Sequence, residues 1–169
     1  MIRVIDNFFS KEECIYYRNM INNSINTEKL VCFSNSAKSI NHKYENLDLV
    51  NIFYDRAVEK IKENDFIKPN NLIMWAKYEP GAEFGLHTDT GLYYDTINKL
   101  KSRYTLLVYL NDNFEGGNTV FYDNSFVVNL TVVPKEGSCI IFDIDLWHKG
   151  DIITYGEKYW IGCEIISNF

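Results

Sequence analysis

From position 69 onward the chain alternates between short apolar-rich runs and turn residues. LIMWAKYEP, RYTLLVYL, NTVFYD, FVVNLTVV, SCIIFDI and KYWIGCEII combine β-branched and aromatic residues, and PGAEFG, NDNFEGG, PKEG and TYGE separate them. Many short strands with turn signals between them predict a sandwich or barrel. The first third has a different period. Ser10 is followed three residues later by Glu13, a capping-box pattern that predicts a helix over 10–23. Cys14, Ile15, Met20 and Ile21 are its candidate packed face. A second helix is predicted near 47–63, from Leu47, Val50, Ile52, Phe53, Ala57, Val58 and Ile61. Both helices are expected to precede the strands and to buttress them, giving a mostly β fold with N-terminal helices. No stretch is Pro-rich, Gly/Ser-rich or repetitive, so residues 1–169 read as one domain.

Composition narrows the partners. Hydrophobic residues make up 46% and charged residues 24%, an ordinary globular balance. The net charge of −6 disfavours a broad nucleic-acid surface, because phosphate binding rests on accumulated Lys and Arg. The opening MIRVIDNFFSKEEC lacks the apolar core of a signal peptide, and no stretch is apolar enough to span a bilayer. The expectation is a cytoplasmic protein. Cys14, Cys32, Cys139 and Cys163 form no C-x-x-C pair and are expected to be reduced, small apolar residues.

Candidate chemistry begins at Gly85-Leu86-His87-Thr88-Asp89. Side chains two apart on a strand share a face, so His87 and Asp89 can enter one cavity. Only three histidines exist, at 42, 87 and 148. His148, in FDIDLWHKG, is the candidate third ligand, whereas His42 has no motif around it and reads as a surface residue. Two imidazoles and a carboxylate suit Fe(II) that must keep coordination positions open. Each residue also has a plainer reading: a hydrogen-bonded histidine, turn chemistry at Asp89, a strand-end cap at His148. Lys158 follows His148 by ten residues and opens the last strand. A lysine inside a β-sandwich is costly unless it meets an anion. An outward-facing strand lysine is the alternative. Tyr78 and Thr119 carry hydroxyls that can reach the same anion.

VIDNFFSKEEC, YEPGAEFGLHTDTG, RYTLLVYLNDNFEGGNTVF, VVPKEGSCIIF and LWHKGDIITYGEKYW, in this order, resemble the prolyl 4-hydroxylase branch of the 2-oxoglutarate/Fe(II)-dependent dioxygenases. The resemblance implies a double-stranded β-helix, the cupin-like jelly roll. It implies a catalytic iron held by His87, Asp89 and His148, with 2-oxoglutarate and O₂ as co-substrates, and it extends to ascorbate. Lys158 would pair with the 2-oxoglutarate tail, assisted by Tyr78 and Thr119. Asp89 argues against a halogenase, where a small residue vacates that position. The implied activity is hydroxylation of prolyl residues in a peptide or protein, with release of succinate and CO₂. Arg103, at the start of RYTLLVYL, is a candidate peptide contact and equally a solvated strand-start charge. GLYYDTINKLKS resembles the family's mobile substrate loop, so Tyr93 and Tyr94 are candidates to close over substrate; an ordinary surface loop is the alternative. Trp160 shares strand parity with Lys158 and is a candidate cleft wall or a packing residue, whereas Trp147 should pack outside the cavity. A free amino acid or other small molecule as substrate, and a non-catalytic cupin-like metal-binding module, remain the competing readings. The sequence leaves the oligomeric state open.

Overall fold

In a computed structural model, the structure describes residues 1–31, 38–62 and 65–169. Cys32 and position 63, the far end of the second predicted helix, lie outside the described residues. The elements run β1 (Ile2–Ile5), α1 (Lys11–Thr27), β2 (Ser39–Glu45), α2 (Leu47–Lys60), β3 (Lys68–Tyr78), β4 (Phe84–His87), β5 (Tyr94–Asp95), β6 (Leu100–Tyr109), β7 (Glu115–Gly116), β8 (Thr119–Tyr122), β9 (Val128–Val132), β10 (Cys139–Asp143), β11 (His148–Gly150), β12 (Ile153–Tyr155) and β13 (Lys158–Asn168).

Both helices start at side-chain caps. Ser10 accepts from the Glu13 N–H while Glu13 reaches back to the Ser10 N–H, and Asn46 accepts from the Leu49 N–H. These bonds satisfy donors that a helix start leaves orphaned. The α1 face that packs inward is Cys14, Tyr17, Ile21 and Ser24. Ile15, expected there, is exposed, because it sits one residue off that stripe. In α2 the buried stripe is Leu49, Val50, Phe53 and Ala57, and Leu47, Ile52 and Val58 face outward.

The major sheet has the order β1-β10-β6-β13-β3-β2, with β5 added to β6. A smaller sheet, β4-β11-β8-β9, faces it, and β12 pairs with β7. All pairings are antiparallel. This is the jelly-roll, double-stranded β-helix arrangement. Alternation along the central strands divides the labour. On β6, Tyr104, Leu106 and Val108 join Phe8, Phe9 and the helix residues Cys14, Ile21 and Phe53 in the main core. Thr105, Leu107 and Tyr109 point to the other face. On β13, Ile161, Cys163 and Ile165 enter the same main core, and Lys158, Trp160 and Glu164 line the space between the sheets.

The strands do not all follow the helices. The first residues form β1, which extends the sheet against β10, and β2 lies between the helices and pairs with β3. Neither segment shows enough alternation to stand out in isolation. His42, read as a surface residue, is 5% exposed on β2. Its Nδ1 accepts from the Val31 N–H at 2.7 Å, and its ring stacks on Tyr44. Cys14, Cys139 and Cys163 are buried and free. Among the described residues no helix is long and apolar enough to cross a membrane.

Candidate active site

The sheets enclose a cavity of about 270 Å³. Strand pairing places two histidines at its side: in the β4–β11 ladder, His87 and His148 are Cα partners. Their ring centroids lie 4.2 Å apart. Each Nδ1 meets a backbone carbonyl two residues earlier, Gly85 O at 2.7 Å from His87 and Leu146 O at 2.9 Å from His148. A proton on Nδ1 satisfies each carbonyl and leaves the Nε2 lone pair for a metal. Both Nε2 atoms face Asp89 Oδ1, at 3.4 Å and 3.7 Å.

Asp89 lies just beyond the end of β4, so the strand itself carries only His87. Asp89 is brought to the histidines by its own N–H, which donates to Ile144 O at 3.0 Å. The Thr105 hydroxyl donates to Oδ2 at 2.5 Å and leaves Oδ1 toward the histidines. Burial alone would raise the Asp89 carboxyl, but the His87 hydrogen bond, the His148 charge and Thr105 hold it below its usual range. Burial pushes His148 below its ordinary value, against the pull of Asp89, and favours the neutral ring. One donor atom from each of the three residues lies within 4.8 Å of the others. The donor set therefore fits a ferrous ion. Two nitrogens and one oxygen are oriented inward, and the remaining polar atoms are bonded to the protein.

Lys158 stands deeper in the cavity. It pairs with Tyr78 across the β13–β3 ladder and is 5% exposed. Its ammonium donates to Gly117 O at 2.6 Å and lies 5.2 Å from the centroid of the Tyr109 ring. Burial pushes it down to about 7, with the Asp151 charge opposing. The carbonyl it meets is neutral, so the charge still favours an anion in the cavity. Thr119, buried on β8, exchanges a 2.7 Å hydrogen bond with the Tyr109 hydroxyl. Tyr78 is hydrogen-bonded to Trp160, and all of Tyr78, Thr119, Lys158 and Trp160 line the cavity. Trp147 packs on Phe126 and is absent from the lining.

Other candidates sit elsewhere. Arg103 Nε lies 3.9 Å from Asp65 and 3.8 Å from Asp143, with the guanidinium beside the Tyr104 ring, and it does not line the cavity. Tyr93 bridges Lys68 and Asp95 through its hydroxyl. Tyr94 is 69% exposed and stacks on Phe169. Their segment is a hairpin onto β6, with Asp95 accepting from the Ile97 and Asn98 N–H groups. Thr90 and Leu92 are the members of this stretch that line the cavity.

Thr105, Tyr109 and Glu164 stand at the site and are not nominated by the sequence. Tyr109 looks like any strand aromatic; its signal is shared parity with Thr105 and Leu107. Glu164 is 3% exposed and lines the cavity. Its signal is shared parity with Lys158 and Trp160 on the last strand. Burial raises its carboxyl, opposed by hydrogen bonds from Ser102, Leu92 and Asn70, and the Asp89 charge raises it further.

A family model for the 2OG-Fe(II) oxygenase superfamily matches residues 73–163, which include the triad and Lys158. No curated protein sequence matches significantly. The collagen prolyl hydroxylase vCPH of Paramecium Bursaria Chlorella virus-1, solved with 2OG, is similar in structure, with a TM-score of 0.71 at 23% identity over 98% of this chain and 96% of that one. A Pseudomonas putida prolyl-4-hydroxylase gives a TM-score of 0.71 at 12% identity, covering 99% of this chain and 93% of its own. A Trichoplax adhaerens prolyl hydroxylase, in complex with a hypoxia inducible factor oxygen degradation domain peptide, gives 0.67 at 16% identity, covering 98% and 83%. At these identities the structural likeness speaks for the fold.

Proposed function

The chain belongs to the 2OG-Fe(II) oxygenase superfamily, and from that premise we propose that it hydroxylates prolyl residues of a peptide or protein. It is a 2-oxoglutarate-dependent dioxygenase. In the proposed arrangement His87 Nε2, Asp89 Oδ1 and His148 Nε2 hold Fe(II), and Lys158, with Tyr78 and Thr119, receives the distal carboxylate of 2-oxoglutarate. When bound, this pair supplies C–H hydroxylation from O₂, with release of succinate and CO₂. The chain's own residues do the rest. Thr105 and the Gly85 and Leu146 carbonyls orient the three ligands. Trp160 and Phe142 wall the cavity and limit water. No side chain needs to act as a general base.

One observation carries this reading. A buried lysine whose ammonium, among the described residues, hydrogen-bonds to a backbone carbonyl alone shares a cavity with a His-Asp-His triad. The peptide substrate is supported by the relatives, which include a collagen prolyl hydroxylase and an enzyme solved with a peptide. Hydroxylation of a free amino acid is the second reading. It is favoured by opposite charges on the cavity wall, Lys43 and Glu164.

Anaerobic titration of the metal-free protein with Fe(II) and 2-oxoglutarate tests the assignment. A visible charge-transfer band is expected, weakened in Asp89→Ala and Lys158→Ala. Proline-rich peptides should then gain one oxygen in mass. A folded, iron-loaded protein without the band overturns the co-substrate site.

A further inference from the structure

The Glu164 carboxylate has an uneven set of partners. Its Oε2 accepts three hydrogen bonds, from Ser102 Oγ at 2.5 Å, Leu92 N at 3.0 Å and Asn70 Nδ2 at 3.1 Å. Its Oε1 has no hydrogen-bond partner among the described residues, although the side chain is almost wholly buried and lines the cavity. Glu164 also has no ion-pair partner among the described residues. Lys43 also lines the cavity and makes no ion pair with Glu164 among the described residues, and three further cavity charges have roles of their own. Asp89 faces the two histidines, Asp151 pairs with Lys149 at 2.9 Å, and Lys158 awaits the co-substrate anion. Among the described residues Trp75 Nε1 is the one fully enclosed side-chain atom without a hydrogen-bond partner, so Glu164 Oε1 opens onto the cavity, where water or a ligand's donor can reach it. Anchoring Leu92 needs one acceptor oxygen and does not account for the second.

We infer that Glu164 Oε1 is a specificity-determining contact that receives a cationic nitrogen of the substrate beside the metal triad. The inference rests on the oxygenase reading and deepens it by naming a feature of the substrate. Two sources share this chemistry: a lysyl or arginyl side chain next to the target residue of a peptide, and the ammonium of a free amino acid. A charge-assisted hydrogen bond of this kind discriminates, because a neutral analogue gives up the charge and leaves Oε1 to water.

The test measures succinate release by wild type and Glu164→Gln with two sets of compounds. One set is a proline peptide carrying lysine, norleucine or glutamate beside the proline. The other is free L-proline against N-acetyl-L-proline. Gln keeps the shape and an acceptor for Leu92, Ser102 and Asn70, and it presents an amide N–H₂ to the cavity. In the wild type, one set should favour its cationic member by about tenfold or more in kcat/KM, the scale of one charge-assisted hydrogen bond. That preference should fall to near unity in the variant. The set that shows it identifies the source of the nitrogen. A residue that merely props the Leu92 segment would lower all compounds alike and leave the preference intact. That result overturns the subsite, as does a wild type with no cationic preference in either set. If the Fe(II)–2-oxoglutarate band forms in either of those cases, the oxygenase reading stands alone; if the band is absent, both fall.

Discussion

Thr105 donates its hydroxyl hydrogen to Asp89 Oδ2 at 2.5 Å, which leaves Asp89 Oδ1 as the oxygen shared by both histidine Nε2 atoms. The carboxylate is thereby aimed before any metal arrives. Thr105→Val keeps the branched shape and removes the donor. It should weaken Fe(II) binding by roughly tenfold, the usual scale for losing a partner behind a metal ligand. Thr105→Ser should restore it. Competition against a chelator of known affinity reads the effect, and equal affinities for Val and Thr would show that the hydroxyl does not orient the ligand.

Lys158 sets a pH dependence. Burial brings its ammonium from 10.5 to about 7. Below that point the folded protein already carries the charge that a co-substrate carboxylate needs. Above it, binding must draw a proton from solution. Apparent 2-oxoglutarate affinity should therefore fall as pH rises from 7, by up to about tenfold per pH unit. Between about 7 and 10.5 the unfolded chain holds this proton and the folded chain has released it, so the unliganded protein gains stability across that window from this group. Calorimetry in buffers of different ionisation enthalpy should detect proton uptake at pH 8 in the wild type. Lys158→Met should bind weakly with no uptake.

Gly117 makes Lys158's contact possible. Its φ is +65°, and a Cβ there would lie 2.4 Å from Ile153 Cδ1 and 3.3 Å from Lys158 Cδ. Gly117→Ala should cost about 1–3 kcal/mol of stability through backbone strain and crowding. It should also weaken 2-oxoglutarate binding, because the carbonyl that accepts from Lys158 shifts. Gly85→Ala is the control for stability, since no atom lies within 4 Å of its Cβ position. Denaturant midpoints separate the two, and equal midpoints would show that the Gly117 backbone tolerates a side chain.

Much of this was readable in the chain itself. The six apolar runs after position 69 correspond to β3, β6, β8, β9, β10 and β13. On β3, β6, β10 and β13 the periodicity survives because each packs one face on the main core and the other on the cavity, whereas most of β9 is exposed. The capping box at Ser10 was legible because capping is local. β1 and β2 were not, since a strand held by long-range pairing needs little pattern of its own. The burial of His42 is hidden for the same reason: it comes from Trp75 on β3 and from Val31, which no local motif reports. His87, Asp89, His148 and Lys158 are near one another only through pairing between distant strands, so the sequence could nominate them but not assemble them. Glu164 shows the limit most plainly. A glutamate in an apolar strand reads as an interruption until the strand's inward face turns out to be a cavity wall.

The His87–His148 pairing has a consequence for biosynthesis. The two imidazoles come from strands far apart in the chain, and Lys158 opens a strand later still. A nascent chain emerging from the ribosome carries the first histidine and the aspartate long before their third companion exists. Two ligands on a flexible chain hold ferrous iron poorly, and the anion-binding lysine is not yet made. Metal acquisition therefore belongs to the finished, folded chain, and half-made copies have no means of starting oxygen chemistry on themselves.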